Sequence, residues 1–372
     1  MHYFRKLGVA VFLSGALVTM ANAQVISSLL KPTNVPGIKV VAPPPVGFDP
    51  VTASPAARKQ FAIPPAPDEA VAPRAYNEWK KAVSGIRNRD AAPVLTQTRL
   101  ANGPIKNKKL GGSPPPGYTV GSNMSNVSNL IMVTSNNWSG PSFVDPTNPF
   151  ALEAIVGEFV VPTAHVAFGS CTPAVYSSQW PGIDGNNSND VLQAGVEADA
   201  TCSGGVTTTS YTAWIEWFPN FETAVSSPVI HPGDLVYVAV WNISPTSGYA
   251  YFYNFSTQIS AQYTLTAPSG TQLVGNSVEW IVERPGIGGT LATLTNYIDV
   301  SWPYNFAWNY DAPRPTYYYP YVAPPTNTGT LELIQMLDNS NNGISFGYYQ
   351  NSDFYFFVDY GSANGGSTAP FY

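Results

Sequence analysis

From about Asn126 onward, apolar and polar residues alternate in short runs separated by turn signals. Ala154–Val161, Tyr211–Phe218 and Leu235–Ile243 follow the two-residue period of a pleated strand, as do Tyr249–Phe255, Gln262–Leu265, Val278–Val282, Ile344–Tyr349 and Asp353–Val358. Pro181-Gly182, His231-Pro-Gly-Asp234 and Asn341-Asn-Gly343 read as turns between them. No helical period persists over a window of about 15 residues, and strands do not alternate with helices. The pattern predicts an all-β domain over residues 126–372, an antiparallel sandwich or barrel.

The first 125 residues follow other rules. Arg5 and Lys6, the apolar run Leu7 to Met20 and the small-residue site Ala21-Asn22-Ala23 predict a secretory signal over residues 1–23, hence secretion and no membrane anchor in the mature chain. Residues 24–125 hold three proline clusters, at 43–45, 64–65 and 114–116. Between them Pro73 to Leu100 is expected to form one helix, with Trp79, Val83 and Ile86 on its buried face. The segment reads as a partly helical or disordered prosegment ending in a cleavable linker near Gly111 to Ser122.

Charge sharpens the division. Residues 24–125 carry 13 basic and 5 acidic side chains, a net of +8. Residues 126–372 carry 2 basic and 18 acidic ones, a net of −16. A domain so acidic repels nucleic acid and anionic membranes, and it loses most of its self-repulsion in acid. Only 11% of the chain is charged and 13% is aromatic, which excludes a coiled coil or charged bundle and suits aromatic-faced strands.

Several chemistries are ruled out next. The chain has three His, at 2, 165 and 231, and none lies in a metalloprotease, serine-hydrolase or phosphate-loop motif. No metal or cofactor is therefore expected. Cys171 and Cys202 are too few for a metal cluster, and in an exported chain they are expected to pair. Carboxylates and amides are left as the actors. Asp184, Glu197, Glu216 and Glu279 each lie in strongly apolar surroundings, where an unpaired carboxylate is costly. Strand alternation puts Trp214 with Glu216 on one face, and Glu279 with Ile281 and Glu283 on one face.

Five ordered stretches, Ser135-Asn-Asn-Trp-Ser-Gly140, Gln179-Trp-Pro-Gly-Ile-Asp-Gly185, Leu192-Gln-Ala-Gly-Val-Glu197, Tyr211-Thr-Ala-Trp-Ile-Glu-Trp-Phe-Pro219 and Val278-Glu-Trp-Ile-Val-Glu283, resemble the glutamic peptidases, or eqolisins. The resemblance runs from about Val133 to Val282 and then loosens. It implies a concanavalin-like sandwich of two antiparallel sheets, made as a proenzyme, that hydrolyses proteins in acid without metal or cofactor. It places the catalytic pair on Gln193 and Glu279, and the supporting cleft on Trp180, Asp184, Trp214 and Glu216. Glu197 stands where the family usually has Asp. Residues 301–328, rich in Pro and Tyr, look like an insertion loop.

In this reading Glu279 deprotonates a water and returns the proton to the leaving amine, while the Gln193 amide donates to the oxyanion. Gln193 and Glu279 are expected on adjacent strands. Asp184, Glu197 and Glu216 orient the amide, and Trp180 and Trp214 wall the site. The expected partners are protein or peptide substrates and the chain's own prosegment as inhibitor, with Lys106, Lys108 and Lys109 facing cleft carboxylates; the protein is expected to act as a monomer. A lectin-like carbohydrate-binding sandwich or a glycoside hydrolase stays open as the alternative, although the ExDxxE pattern of sandwich glucanases is absent.

Overall fold

The computed structural model describes residues 29–111, 130–166, 171, 174–320, 329–349 and 356–361. The expected signal 1–23 and most of the expected linker lie outside these residues. Two large, mainly antiparallel sheets dominate the fold, as the alternation predicted. The first runs, edge to edge, through Leu30–Pro32, Ile38–Val41, Ile259–Thr266, Ser247–Asn254, Leu235–Ser244, Ala154–Val160, Tyr304–Trp308 and Tyr317–Tyr318. The second has at its centre Thr330–Leu337, Trp138–Val144, Ser277–Glu283, Ser178–Ile183, Val191–Ser203 and Val206–Phe218. Leu130–Ser135 joins it in parallel with Thr330–Leu337. Between the sheets lies one apolar core, with Phe159, Val238 and Phe252 from the first meeting Leu192, Trp217 and Trp280 from the second.

Both sheets are also buried on their outer faces, and residues 29–111 do much of the covering. Their helix is shorter than the periodicity predicts: it spans Pro73–Ser84, tightens into a 3-10 turn at Gly85–Asn88, and gives way to a strand at Leu95–Gln97. At Gly85 the backbone meets the first sheet so closely that a Cβ would stand 2.0 Å from the Tyr253 ring. Beyond it the chain is drawn into the second sheet, where Leu95–Gln97 pairs with Thr223–Val225. The helix lays Trp79 and Val83, and the turn after it Ile86, on an aromatic face built by Tyr237, Trp241, Tyr251 and Trp308. Trp79 is fully buried and donates its indole N–H to the Pro64 carbonyl at 3.0 Å. Trp79→Ala is expected to cost about 3–5 kcal/mol, read as a lower urea midpoint. Proteolysis confined to residues 55–90 would accompany it, and an unchanged midpoint would show that this layer is not part of the cooperative fold.

Two sequence expectations are corrected here. Pro181-Gly182 is no turn: both residues lie inside the Ser178–Ile183 strand. The Pro181 ring points between the sheets, where a Cβ on Gly157 of the opposite sheet would lie 3.1 Å from it, so inter-sheet packing offsets the missing N–H. The stretch 301–328 is not one loop either, because Tyr304–Trp308 extends the first sheet and Asp299–Trp302 pairs with Phe356–Tyr360. Cys171 and Cys202 are joined by a disulfide. Among the described residues no helix is long and apolar enough to cross a membrane.

Candidate active site

Strand register builds the site. Gln193 pairs with Gly182, and Gly182 pairs on its other side with Glu279. Glu279 pairs in turn with Ser142 and Ser142 with Glu332, while Gln193 pairs outward with Glu216. Residues paired across a sheet share a face, so Glu332, Ser142, Glu279, Gly182, Gln193 and Glu216 form one polar row. Gln193 and Glu279 are thus not on adjacent strands, as expected, but one strand apart, about 10 Å between Cα atoms. Gly182 lies between them. A Cβ there would lie 2.7 Å from the Trp180 ring and 3.2 Å from the Gln193 Cβ, so any side chain would collide with the tryptophan that packs over this glycine.

Two residues further along each strand the face turns apolar. Trp180, Trp214, Ile281 and Ile334 pack there with Trp138 in a satellite cluster of their own. Beyond them lies Glu283, whose carboxylate accepts the indole N–H groups of Trp138 at 3.0 Å and Trp180 at 3.1 Å and the Asn137 amide at 2.9 Å. Glu283 therefore fixes the tryptophan wall.

The remaining expected site residues take different places. Glu216 accepts the Asn102 backbone N–H at 3.0 Å. Asp184 accepts the backbone N–H groups of Val274, Gly275 and Asn276, the loop that leads into the Glu279 strand. It therefore secures that strand from behind and does not touch the Gln193 amide by any hydrogen bond described. Glu197 is buried beside Ser178, Asn102, Asp199 and Glu222. The Glu197 and Glu222 carboxyls can lie together only by sharing a proton. The Trp214 indole N–H is buried without a hydrogen-bond partner among the described residues.

Glu222, Glu283, Glu332, Ser142 and Asn186 were not singled out by sequence as site residues. Glu283 had a signal, sharing the Glu279 face; Glu332 had a weaker one, a lone charge inside the apolar Thr330–Leu337 strand. Glu222, after the Trp214 strand ends, had none.

Burial dominates the electrostatics. It pushes Glu216, Glu222, Glu279 and Glu283 well above the usual carboxylate range. Neighbouring carboxylates raise them further: Glu283 and Glu197 act on Glu216, and Asp184 and Glu332 act on Glu279. Burial also lifts Asp184 to about 6 against its three N–H donors. The site is therefore a set of neutral acids over much of the acidic range. Among the described residues no group of His, Cys, Asp and Glu is arranged to hold a metal ion.

The face is occupied by the chain itself. Residues 102–108 lie along it: the Gln193 side-chain amide donates to the Asn102 carbonyl, and the Gly103 N–H donates to Glu283 at 3.2 Å. The Asn137 amide reaches the carbonyls of Gly103 and Pro104. Lys108 sits at the end of the polar row, its ammonium 2.6 Å from Glu332 and 2.7 Å from the Asn186 side-chain oxygen. Asn186 in turn donates to Ser142 at 2.9 Å, and the Ser142 hydroxyl approaches Glu279 at 3.5 Å. Of the three lysines expected at cleft carboxylates, Lys108 makes the direct ion pair.

Residues 136–310 match the model of the Peptidase A4 family. The chain is 30% identical over 185 residues to aspergillopepsin-2 of Aspergillus niger, covering 45% of this chain and 62% of that one. It is 30% identical over 124 residues to scytalidopepsin B of Scytalidium lignicola, covering 32% and 44%. The chain thus spans less than two thirds of the length of either relative. Among solved structures, scytalido-glutamic peptidase with a transition state analog inhibitor aligns over 60% of this chain and 98% of its own, at 20% identity and a TM-score of 0.45. Aspergilloglutamic peptidase from Aspergillus niger aligns over 50% and 99%, at 26% identity and a TM-score of 0.41. It is through residues 136–310, the stretch that carries Gln193 and Glu279, that this chain is similar to the Peptidase A4, or eqolisin, family.

Proposed function

We propose that this protein is a secreted acid endopeptidase, made as a proenzyme, in which Glu279 is the general base and then acid and Gln193 stabilises the oxyanion. The observation that carries the reading is the pairing of both residues with Gly182. It sets a carboxyl and an amide on one face, on either side of a glycine whose missing side chain leaves room for the Trp180 ring. Each group leaves one oxygen, Glu279 Oε2 and Gln193 Oε1, buried without a hydrogen-bond partner among the described residues. Two acceptors on one face suit the two protons of an attacking water. The Gln193 N–H₂ then donates to the oxygen of the tetrahedral intermediate, and the proton held on Glu279 passes to the leaving nitrogen. Glu283 holds the tryptophan wall that keeps bulk water out, and Asp184 fixes the approach to Glu279.

Residues 102–108 act as the inhibitor in this reading. In the closed cleft, burial keeps Glu279 protonated and unable to accept a proton. The Lys108–Glu332 ion pair anchors the end of the segment, so loss of that pair frees it. Once the segment leaves, water reaches Glu279 and the burial that held it neutral is relieved. A carbohydrate-stacking role has less support, because outside the face under residues 102–108 every Trp is buried and offers no open ring to a sugar.

The test is digestion of casein and haemoglobin at about pH 3–4, near ordinary carboxylate pKa values, beside a polysaccharide panel. Protein cleavage that survives a metal chelator is the expected result; polysaccharide cleavage alone refutes the reading. Gly182→Ala is expected to lower acid proteolysis about 10²-fold, since its Cβ displaces Trp180 or Gln193, with little change in circular dichroism. Full activity in that variant would show that the glycine has no part in the chemistry.

A further inference from the structure

Asn102 places its side chain, as well as its backbone, in the site. The residue is fully buried, and its amide Nδ2 donates to Glu222 Oε2 at 3.3 Å. Its Oδ1 meets no hydroxyl or N–H donor among the described residues. What lies beside it is carboxyl, for Glu197 and Glu216 flank the same amide. A buried amide oxygen left unpaired is costly, and the donor those neighbours can offer is a carboxylic acid proton. Burial, which raises all three carboxyls, keeps that proton in place. A neutral acid and a carboxamide are complementary, each giving one hydrogen bond and taking one. The enclosure therefore fits the end of an Asn side chain at both its nitrogen and its oxygen.

We propose that Glu222, with Glu197 and Glu216, forms a substrate subsite beside Gln193 that selects a carboxamide side chain, asparagine before glutamine. The inference rests on the peptidase reading above and deepens it, since residues 102–108 vacate this enclosure when substrate enters. Its walls belong to the second sheet and not to the departing segment. Glu197 and Glu216 sit on the paired strands Val191–Ser203 and Val206–Phe218, and Glu222 directly precedes Thr223, which pairs with Ile215. The subsite adjoins the reacting groups, because Glu216 pairs with Gln193. The same acids set what it excludes. Leucine has the shape of asparagine but no hydrogen bond to give or take, so it leaves buried acids unpaired. An ionised aspartate adds a like charge to a cluster that already opposes ionisation. A lysine ammonium calls for an ionised Glu222, which burial disfavours.

The experiment digests a peptide library with the acidified full chain, reads the residues around each cut by mass spectrometry, and follows casein digestion in parallel. Asn is expected to be enriched at one fixed position near the cut, where it raises kcat/KM about tenfold or more over Leu. Glu222→Met is expected to bring that Asn-to-Leu ratio close to one. Glu222→Gln, whose amide still gives and takes a hydrogen bond, is expected to keep most of it. A measurement on wild type alone covers the case in which Glu222→Met does not fold. The peptide of residues 98–107, with Asn or Leu at position 102, is added to the casein digest, and the Asn form is expected to inhibit at about tenfold lower concentration. Equal inhibition by the two forms, no favoured position for Asn, or an Asn preference unchanged in folded Glu222→Met each overturns the proposal. A preference for Lys at the position that Glu222 controls overturns it too, since the cluster would then be ionised. In all these cases casein digestion leaves the peptidase reading standing. If casein is untouched at every acidic pH, the peptidase reading fails and the subsite with it.

Discussion

Glu279→Gln is expected to abolish acid proteolysis, with a loss of about 10²–10⁴-fold from the missing general base. The substitution keeps the side-chain shape and an oxygen for Ser142, so the packing around it is preserved. What it removes is the capacity to take up and return a proton. Gln193→Ala removes the amide proposed to donate to the oxyanion and is expected to cost about 10²–10³-fold in kcat. It also frees the Asn102 carbonyl, so the variant's cleft should open more readily even as its chemistry fails. Purified variants with wild-type circular dichroism and turnover within tenfold of wild type would reassign both roles.

The second large effect is on stability, and its sign is opposite to that of an ordinary acidic protein. Glu158 is buried under the N-terminal helix, and burial, assisted by the nearby Glu78 charge, lifts it to about 8 despite Lys81. In the unfolded chain a Glu titrates near 4.3, so between about pH 4 and pH 8 the folded state holds the extra proton. Stability from this group is complete below about pH 4 and is lost as the pH rises toward 8. The buried carboxyls of the site, raised in the same direction, add to that slope. Urea midpoints are therefore expected to be highest in acid and to fall toward neutrality. Glu158→Gln should raise the midpoint at pH 8 by an amount worth a few kcal/mol, at about 1.4 kcal/mol per pKa unit, and leave it nearly unchanged at pH 4. Equal shifts at both pH values would mean that Glu158 is not the titrating group.

The polar row is partly legible in the sequence. Alternation put Glu216 with Trp214 and Glu279 with Ile281 and Glu283, and the outer cluster of the second sheet holds Trp214 and Ile281 as that predicts. What alternation cannot supply is which strands neighbour one another. Gln193 and Glu279 are 86 positions apart, and only the placement of the Ser178–Ile183 strand between them defines their separation. That strand was hidden by its own Pro181-Gly182, which imitates a turn in sequence and serves in the fold as inter-sheet packing and as room for the Trp180 ring. The run Leu235–Ile243 carried a further clue, since Tyr237, Ala239 and Trp241 are apolar on what would be its solvent face. Such a strand must be covered on both sides. Nothing in its pattern says that the cover comes from residues 29–90, because a docked helix leaves its signature only in its own periodicity.

Those N-terminal residues also settle the fate of two open borders. Ile38–Val41 hydrogen-bonds along Ile259–Thr266, and Leu95–Gln97 along Thr223–Val225. Stripped of them, each large sheet would end in a row of unsatisfied N–H and C=O groups beside a bare field of Tyr and Trp. A second copy of the chain could satisfy both at once, strand against strand, and a third could add to the second. For a protein that sheds its charge in acid, and with it the repulsion that keeps copies apart, the N-terminal strands are the barrier between a dissolved globule and a growing fibre.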